Sequence, residues 1–316
     1  SIFFFSFKKA MKIHNFGAGP CILPQEVFAQ AAAGVLNLNQ SGLSILEISH
    51  RSAAFDEILL NTKSLVRELL NVPDDYQILF LQGGASMQFS MLPMNFLSEN
   101  AKASYLDTGV WSEKAIKEAQ LFGGVEIVAS SKDKNYSYIP TDFEIPTDSA
   151  YFHITTNNTI YGTEMFEDLD SSVPIVADMS SDIFSRKIDV SKYALIYAGM
   201  QKNIGPAGAT LVIVKNDFLE KQVRKVASML DYKVQVKNDS LYNTPPVFSI
   251  YVSMLNLEWL KNNGGVDAIE AINIEKARIL YNEIDQHPLF KGNVETDYRS
   301  RMNVTFSAIN EDVEKR

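Results

Sequence analysis

PIVADMSSDIFSRKIDVSKYALIYAGMQKNIGPAGATLVIV, residues 174–214, holds three apolar runs, PIVA, ALIYA and TLVIV, each set off by polar or glycine-rich residues. Runs of four or five apolar residues rich in Val, Ile and Ala read as strands buried on both faces. Working outward, comparable runs end at Leu81, Leu106 (SYL), Val128 (EIV) and Ile154 (YFHI), with helical or loop segments between most of them. Helical spacing is expected over Gln25–Leu38, Leu59–Leu70, Met87–Leu97 and Val266–Asp285. Strands alternating with helices predict an α/β chain with a mostly parallel, seven-stranded sheet between helices. After Gly264-Gly265 the pattern changes, and Asn303-Val304-Thr305-Phe306 reads as a strand of a smaller α+β unit. The reading assigns 24–264 to a large domain and 11–23 with 265–316 to a small one. Met11 opens MKIHNFGAGP, so residues 1–10 are expected to be an extension without a role in the fold.

With 316 residues, 46% hydrophobic and 21% charged, the composition is that of a folded chain with a large core. The net charge of -9 disfavours nucleic acid and anionic lipid as partners, so an anionic ligand needs a local site. One cysteine, Cys21, allows no intrachain disulfide, and four scattered histidines give no metal-ligand spacing. A reducing, cytoplasmic setting is expected, with no membrane span and no metal.

Ligands of open α/β sheets bind beyond the carboxyl ends of the strands. There this chain is polar: Thr155-Thr156-Asn157-Asn158-Thr159 follows YFHI, Asp178-Met179-Ser180-Ser181-Asp182 follows PIVA, and Gly199-Met200-Gln201-Lys202 follows ALIYA. Lys202 lies in a tight loop between buried strands, and a desolvated lysine becomes usable as an amine nucleophile. With Asp178 at the end of the neighbouring strand, the pair suits pyridoxal phosphate: lysine to the aldehyde, carboxylate to the pyridinium nitrogen. Taken singly, each residue would read as a solvated lysine or a capping aspartate. Gln82-Gly83-Gly84-Ala85-Ser86, between a strand and a helix, has the form of an anion cradle. Gly17-Ala18-Gly19-Pro20 is not a dinucleotide loop, because no useful strand precedes it and Pro20 sits inside the turn.

Several segments closely resemble the phosphoserine aminotransferase family: SHRS (49–52), LQGGASMQFSMLPMNFL (81–97), DTGVWSEKAIKEA (107–119), NNTIYGTE (157–164), the block 178–210, SLYNTPPVFSIY (240–251) and RSRMNVTF (299–306). The likeness runs from about Met11 to the C-terminus. It implies a class V, fold-type I pyridoxal-phosphate aminotransferase working as a homodimer. Such an enzyme exchanges the amino group between glutamate and 3-phosphohydroxypyruvate, giving 2-oxoglutarate and phosphoserine in serine synthesis. Some relatives also take 4-phosphohydroxythreonine in vitamin B6 synthesis.

Carried over, the resemblance makes Lys202 the Schiff-base lysine and proton shuttle and Asp178 the partner of the ring nitrogen. Ala85 and Ser86 fall where the helix start meets the cofactor phosphate. Trp111 matches the aromatic stacked on the ring, and Thr159 and Gln201 match side-chain contacts. Asn243 and Thr244 match the pair reaching the phosphate from the other subunit, and His50 and Arg51 the substrate-binding pair. Arg299 and Arg301 belong to small-domain scaffold. Family chains run on beyond RSRMN to an arginine gripping the substrate α-carboxylate, so the small domain is expected to be incomplete at Arg316. Rivals are another enzyme of the same fold, such as a serine–glyoxylate aminotransferase, or a weakly active cofactor-binding remnant. A cysteine desulfurase is disfavoured because Cys21 lies in the N-terminal arm.

Overall fold

Short Val- and Ile-rich runs separated by amphipathic stretches fold into strands sandwiched by helices. The structure, a computed structural model, describes residues 13–314, and the extension read at 1–10 lies outside the described residues. In chain order come α1 (Gln25–Leu36), α2 (Ala53–Leu69), β1 (Tyr76–Leu81), α3 (Gly84–Phe96), β2 (Lys102–Asp107), α4 (Val110–Ala119) and β3 (Gly124–Ser130). Then follow β4 (Phe152–Thr155), the hairpin β5 (Asn157–Asn158) and β6 (Thr163–Glu164), β7 (Ile175–Asp178), β8 (Leu195–Gly199) and β9 (Thr210–Lys215). The rest comprises α5 (Asn216–Leu219), α6 (Tyr232–Lys237), α7 (Val247–Asn262), α8 (Gly265–Gln286), β10 (Phe290–Gly292), β11 (Phe306–Ala308) and α9 (Glu311–Glu314).

The main sheet has seven strands in the order β1-β9-β8-β7-β4-β2-β3. All pairs are parallel except those of β9, which runs antiparallel to β1 and to β8. Leu81 and Gly199 both pair with Thr210, so the glycine turn after β1 and the Lys202 loop after β8 leave from one rung. One large apolar cluster covers one face, from Val27 through Phe55 to Leu257, and a second, built on Phe89, Phe96, Tyr105 and Tyr197, covers the other. Leu23 of the N-terminal arm packs in the first.

Four expectations change at their edges. Helix α2, expected from Leu59, starts at Ala53, where Ser52 Oγ caps it by accepting the Phe55 amide at 3.4 Å. Helix α3 starts at Gly84, because Gly83 and Gly84 take positive φ (93° and 65°) and turn the chain into the helix directly. Helix α1 ends at Leu36, and Leu38 begins a separate 3₁₀ turn after the extended Asn37. The strand read over 303–306 lies instead at Phe306–Ala308, paired with β10. Residues before it dock on the large unit: Asn303 Oδ1 accepts from Asn157 Nδ2 at 2.7 Å, and the Thr305 hydroxyl donates to Tyr161 O at 2.8 Å.

Candidate active site

At the carboxyl ends of β4 and β7, Thr155 and Asp178 form one rung of the sheet with Tyr197 in the middle of β8, which runs on two residues further. Asp178 is buried; its Oδ1 accepts from the Ser180 amide at 3.0 Å and hydroxyl at 2.6 Å, while no donor reaches Oδ2 among the described residues. Burial pushes its carboxyl up, with the Ser180 bonds and the Lys202 charge acting against that. The Asp178 carbonyl accepts from Thr156 N at 3.0 Å, holding the strand end in place.

Lys202 has no hydrogen bond or ion pair to its ammonium among the described residues; Nζ lies 5.7 Å from the centre of the Trp111 ring. Burial pushes the amine down, opposed by the charge of Asp178. An added Cβ on Gly19 would stand 3.0 Å from Lys202 Cγ, so the N-terminal arm packs on the lysine's stem, and the Cys21 amide donates to Gln201 O at 3.0 Å. The Gln201 amide folds back over Gly199, where a Cβ would meet its Oε1 at 2.8 Å.

Trp111 stands in the first turn of α4 and donates its indole N–H to Thr159 Oγ1 at 3.0 Å. The turn that carries it is held by Asp107, a residue the sequence reading passed over. Asp107 accepts from Ser112 Oγ at 3.0 Å, and Ser112 in turn accepts the amides of Thr108 and Gly109, each at 3.0 Å. A carboxylate closing a strand just before a Gly-x-x-Ser helix start was the available signal. At the start of α3 the amides of Ala85 and Ser86 have no acceptor among the described residues and face out of the helix end.

Asn243 and Thr244 lie against the same turn: Gln82 Nε2 donates to Thr244 O at 2.8 Å, and Asn243 lines a cavity with Gln82 and Gly83. His50 and Arg51 sit in the turn before α2, where the Arg51 amide donates to Ser49 Oγ at 3.2 Å; their own side chains make no hydrogen bond, ion pair or ring contact among the described residues, and none joins them to Lys202 or Asp178. Arg299 is committed to Asp285 through two bonds of 2.6 and 2.8 Å, and Arg301 to Glu270 at 2.9 Å, as scaffold would be.

These groups fit pyridoxal phosphate. The free amides and the Ser86 hydroxyl suit its phosphate, the Trp111 face its ring, the open Asp178 Oδ2 its ring N–H, and the unpartnered Lys202 its aldehyde. No group of three or more His, Cys, Asp or Glu residues able to hold a metal occurs among the described residues.

The class-V aminotransferase family model matches residues 13–315. A phosphoserine aminotransferase of Flavobacterium johnsoniae is 58% identical over 297 residues, covering 94% of this chain and 83% of that one. Among solved structures, a phosphoserine aminotransferase examined for radiation damage of its Schiff base superposes with a TM-score of 0.94 at 48% identity, covering 96% of this chain and 85% of that one. A pyridoxal-phosphate-bound phosphoserine aminotransferase of Trichomonas vaginalis gives 0.91 at 38%, covering 96% and 87%. The chain therefore belongs to the class-V aminotransferases and, within them, to the phosphoserine aminotransferase family. It is a transaminase that depends on pyridoxal phosphate. No helix among the described residues is long and apolar enough to cross a membrane.

Proposed function

We propose that this chain transfers the amino group of glutamate to 3-phosphohydroxypyruvate, giving phosphoserine and 2-oxoglutarate, in the cytoplasmic synthesis of serine. The observation that carries it is Lys202: a partly buried amine with no hydrogen bond or ion pair among the described residues, beside an aromatic face and within the field of a buried carboxylate. When bound, pyridoxal phosphate supplies the sink for the electrons of the substrate Cα–H bond. Lys202, its amine pushed down by burial, would be the base that holds and returns this proton. Asp178 Oδ2 would accept from the ring N–H and so keep that proton in place, while Ser180 fixes the carboxylate through Oδ1. The amides of Ala85 and Ser86 and the Ser86 hydroxyl hold the cofactor phosphate, Trp111 and Thr159 set the ring plane, and Gln201 borders it.

His50 and Arg51 bind the phosphate of the substrate. In an acidic chain Arg51 offers a local cation and His50 a ring beside it, and neither side chain makes a hydrogen bond or ion pair among the described residues, the Arg51 amide alone donating to Ser49 Oγ at 3.2 Å. The enzyme is a homodimer in which Asn243 and Thr244 complete the cofactor phosphate site of the other subunit. Residues 24–264 are the large domain and 11–23 with 265–316 the small one; an apolar cluster of its own at Ala277, Tyr281 and Ile284 supports a separate C-terminal unit. The test is to supply the cofactor-loaded chain with phosphoserine and 2-oxoglutarate and follow glutamate. Glutamate release that depends on the phosphate of the donor supports the reading; equal or greater release from serine, or none, overturns it.

A further inference from the structure

Helix α7 is buried almost all round, yet it carries three polar residues on one face, Ser249, Ser253 and Asn256, at i, i+4 and i+7. All three meet the loop that follows Lys202. Ser249 Oγ donates to Ala207 O at 2.7 Å, and a Cβ on Gly208 would stand 2.7 Å from that hydroxyl. A Cβ on Gly205 would collide with Ser253 Oγ. Asn256, 7% exposed, donates its amide N–H groups to Asn203 O at 3.0 Å and Ile204 O at 2.9 Å. These carbonyls lie one and two residues beyond Lys202, and no other donor reaches either among the described residues. From the other side Asn203 Nδ2 donates to Ser181 O at 3.2 Å and Ile183 O at 3.1 Å, across the loop that follows Asp178.

We propose that Asn256 is a positioning residue for Lys202: by satisfying the Asn203 and Ile204 carbonyls it fixes the backbone from which the lysine side chain springs. The Lys202 amine is not anchored by any bond of its own among the described residues, so its location is set by its backbone and by packing on its stem. Without Asn256 two buried carbonyls are left unpaired, and the loop must move to find other donors. A shift of about 1 Å in a reacting group costs on the order of a hundredfold in rate.

The inference rests on Lys202 being the lysine that carries the cofactor, and the experiment separates the two ideas. Wild type, Asn256→Leu, which keeps the volume but no donor, and Asn263→Ala, which removes an exposed bond at the end of the same helix, are compared with pyridoxal phosphate bound. Borohydride trapping with peptide mapping in the wild type checks the lysine itself; an adduct elsewhere ends the underlying reading. With that in hand, Asn256→Leu is expected to lower kcat roughly 10- to 100-fold with KM little changed. In the cofactor-free variant, acetic anhydride is expected to label Lys202 with a pH midpoint moved up toward that of an ordinary lysine. Asn263→Ala should match wild type in both. An Asn256→Leu chain that melts earlier but keeps kcat and the labelling midpoint overturns the proposal. If that variant does not fold, Asn256→Ser, whose shorter hydroxyl cannot reach both carbonyls, is read in the same way; failure of both to fold would make Asn256 a residue of fold stability alone and would also overturn it.

Discussion

Ser180 donates its hydroxyl to Asp178 Oδ1 at 2.6 Å, and Ser180 Oγ itself accepts from the Gly199 amide at 3.0 Å. One hydroxyl thus ties the carboxylate to the end of the neighbouring strand, three residues before Lys202. Removing it takes a bond from a buried carboxylate that burial already pushes toward its protonated form. Ser180→Ala is expected to lower kcat about tenfold, since a hydrogen bond to a charged group is worth roughly 1.5–3 kcal/mol and part of that is recovered by relaxation. Steady-state kinetics on cofactor-saturated protein check this. Asp178→Asn, which removes the charge itself, should cost several orders of magnitude with the fold intact.

Lys202→Met should abolish transamination and stabilise the cofactor-free protein. The amine is partly buried with no partner bond, and burial lowers its affinity for a proton. A group whose pKa falls on folding makes the folded state gain stability as pH rises from the folded value to the ordinary lysine value. The advantage of methionine is therefore largest at neutral pH and shrinks as the pH approaches 10.5, the ordinary value. Melting temperatures of both chains across pH 7–10.5 test the sign; a Met variant that melts lower at pH 7 would contradict it.

Arg51→Ala is expected to raise KM for phosphoserine about ten- to a hundredfold, the range for a charged hydrogen bond, and to leave turnover of unphosphorylated serine nearly unchanged. Equal losses with the two amino acids would remove Arg51 from the phosphate site.

Mixing two inactive chains, Lys202→Ala and Thr244→Glu, should restore part of the activity. A hybrid dimer keeps one site with a wild-type lysine and a wild-type Thr244 from the neighbouring subunit. No recovery after demonstrated subunit exchange would mean that each site is built within one chain.

Glu164 is buried with Asp182 and Arg186, and burial together with the Asp182 charge lifts its carboxyl from 4.5 to about 7. Arg186 Nε stands 3.7 Å from Glu164 Oε1 and Nη2 3.2 Å from Asp182 Oδ2, and the Arg301 amide donates to Glu164 Oε2 at 2.7 Å. Because the folded value is the higher one, the stability this group contributes is full below pH 4.5 and is lost as the pH rises through about 7. Glu164→Gln should flatten the pH dependence of Tm over that interval. An unchanged slope would place the titration elsewhere.

The seven strands were legible because each is a compact apolar run with polar residues at its end, and Lys202 and Asp178 were legible because both stand on such ends. Helix starts were read less well: α3 begins at Gly84, where two glycines in the left-handed region form the first turn, a conformation that hydrophobic spacing does not report. Asp107 and Asn256 escaped notice for another reason. Asn256 acts on backbone carbonyls brought close only by folding, whereas Asp107 bonds the Ser112 hydroxyl five residues on, a polar signal between a strand end and a helix start that a reading of apolar runs passes over. The hairpin β5–β6 was hidden because its short strands are buried by polar bonds, Asn157 to Ser181 and Ser300 among them, with no apolar pattern.

The antiparallel insertion of β9 between β1 and β8 bears on how the enzyme comes into being. Leu81, Thr210 and Gly199 share a rung, so the turn that faces the cofactor phosphate and the loop that carries Lys202 stay apart until β9 is in place. A nascent chain emerging from the ribosome presents β1 early and waits through most of the large sheet for the strand that joins it. Contacts between segments so distant in sequence close late and slowly. Pyridoxal phosphate can then be captured only by a sheet that is already finished, and its binding draws the population toward the completed fold by mass action. A chain held before β9 docks would leave β1 unpaired on both sides, where the finished sheet leaves it one free side, and so more prone to pair with a neighbouring molecule.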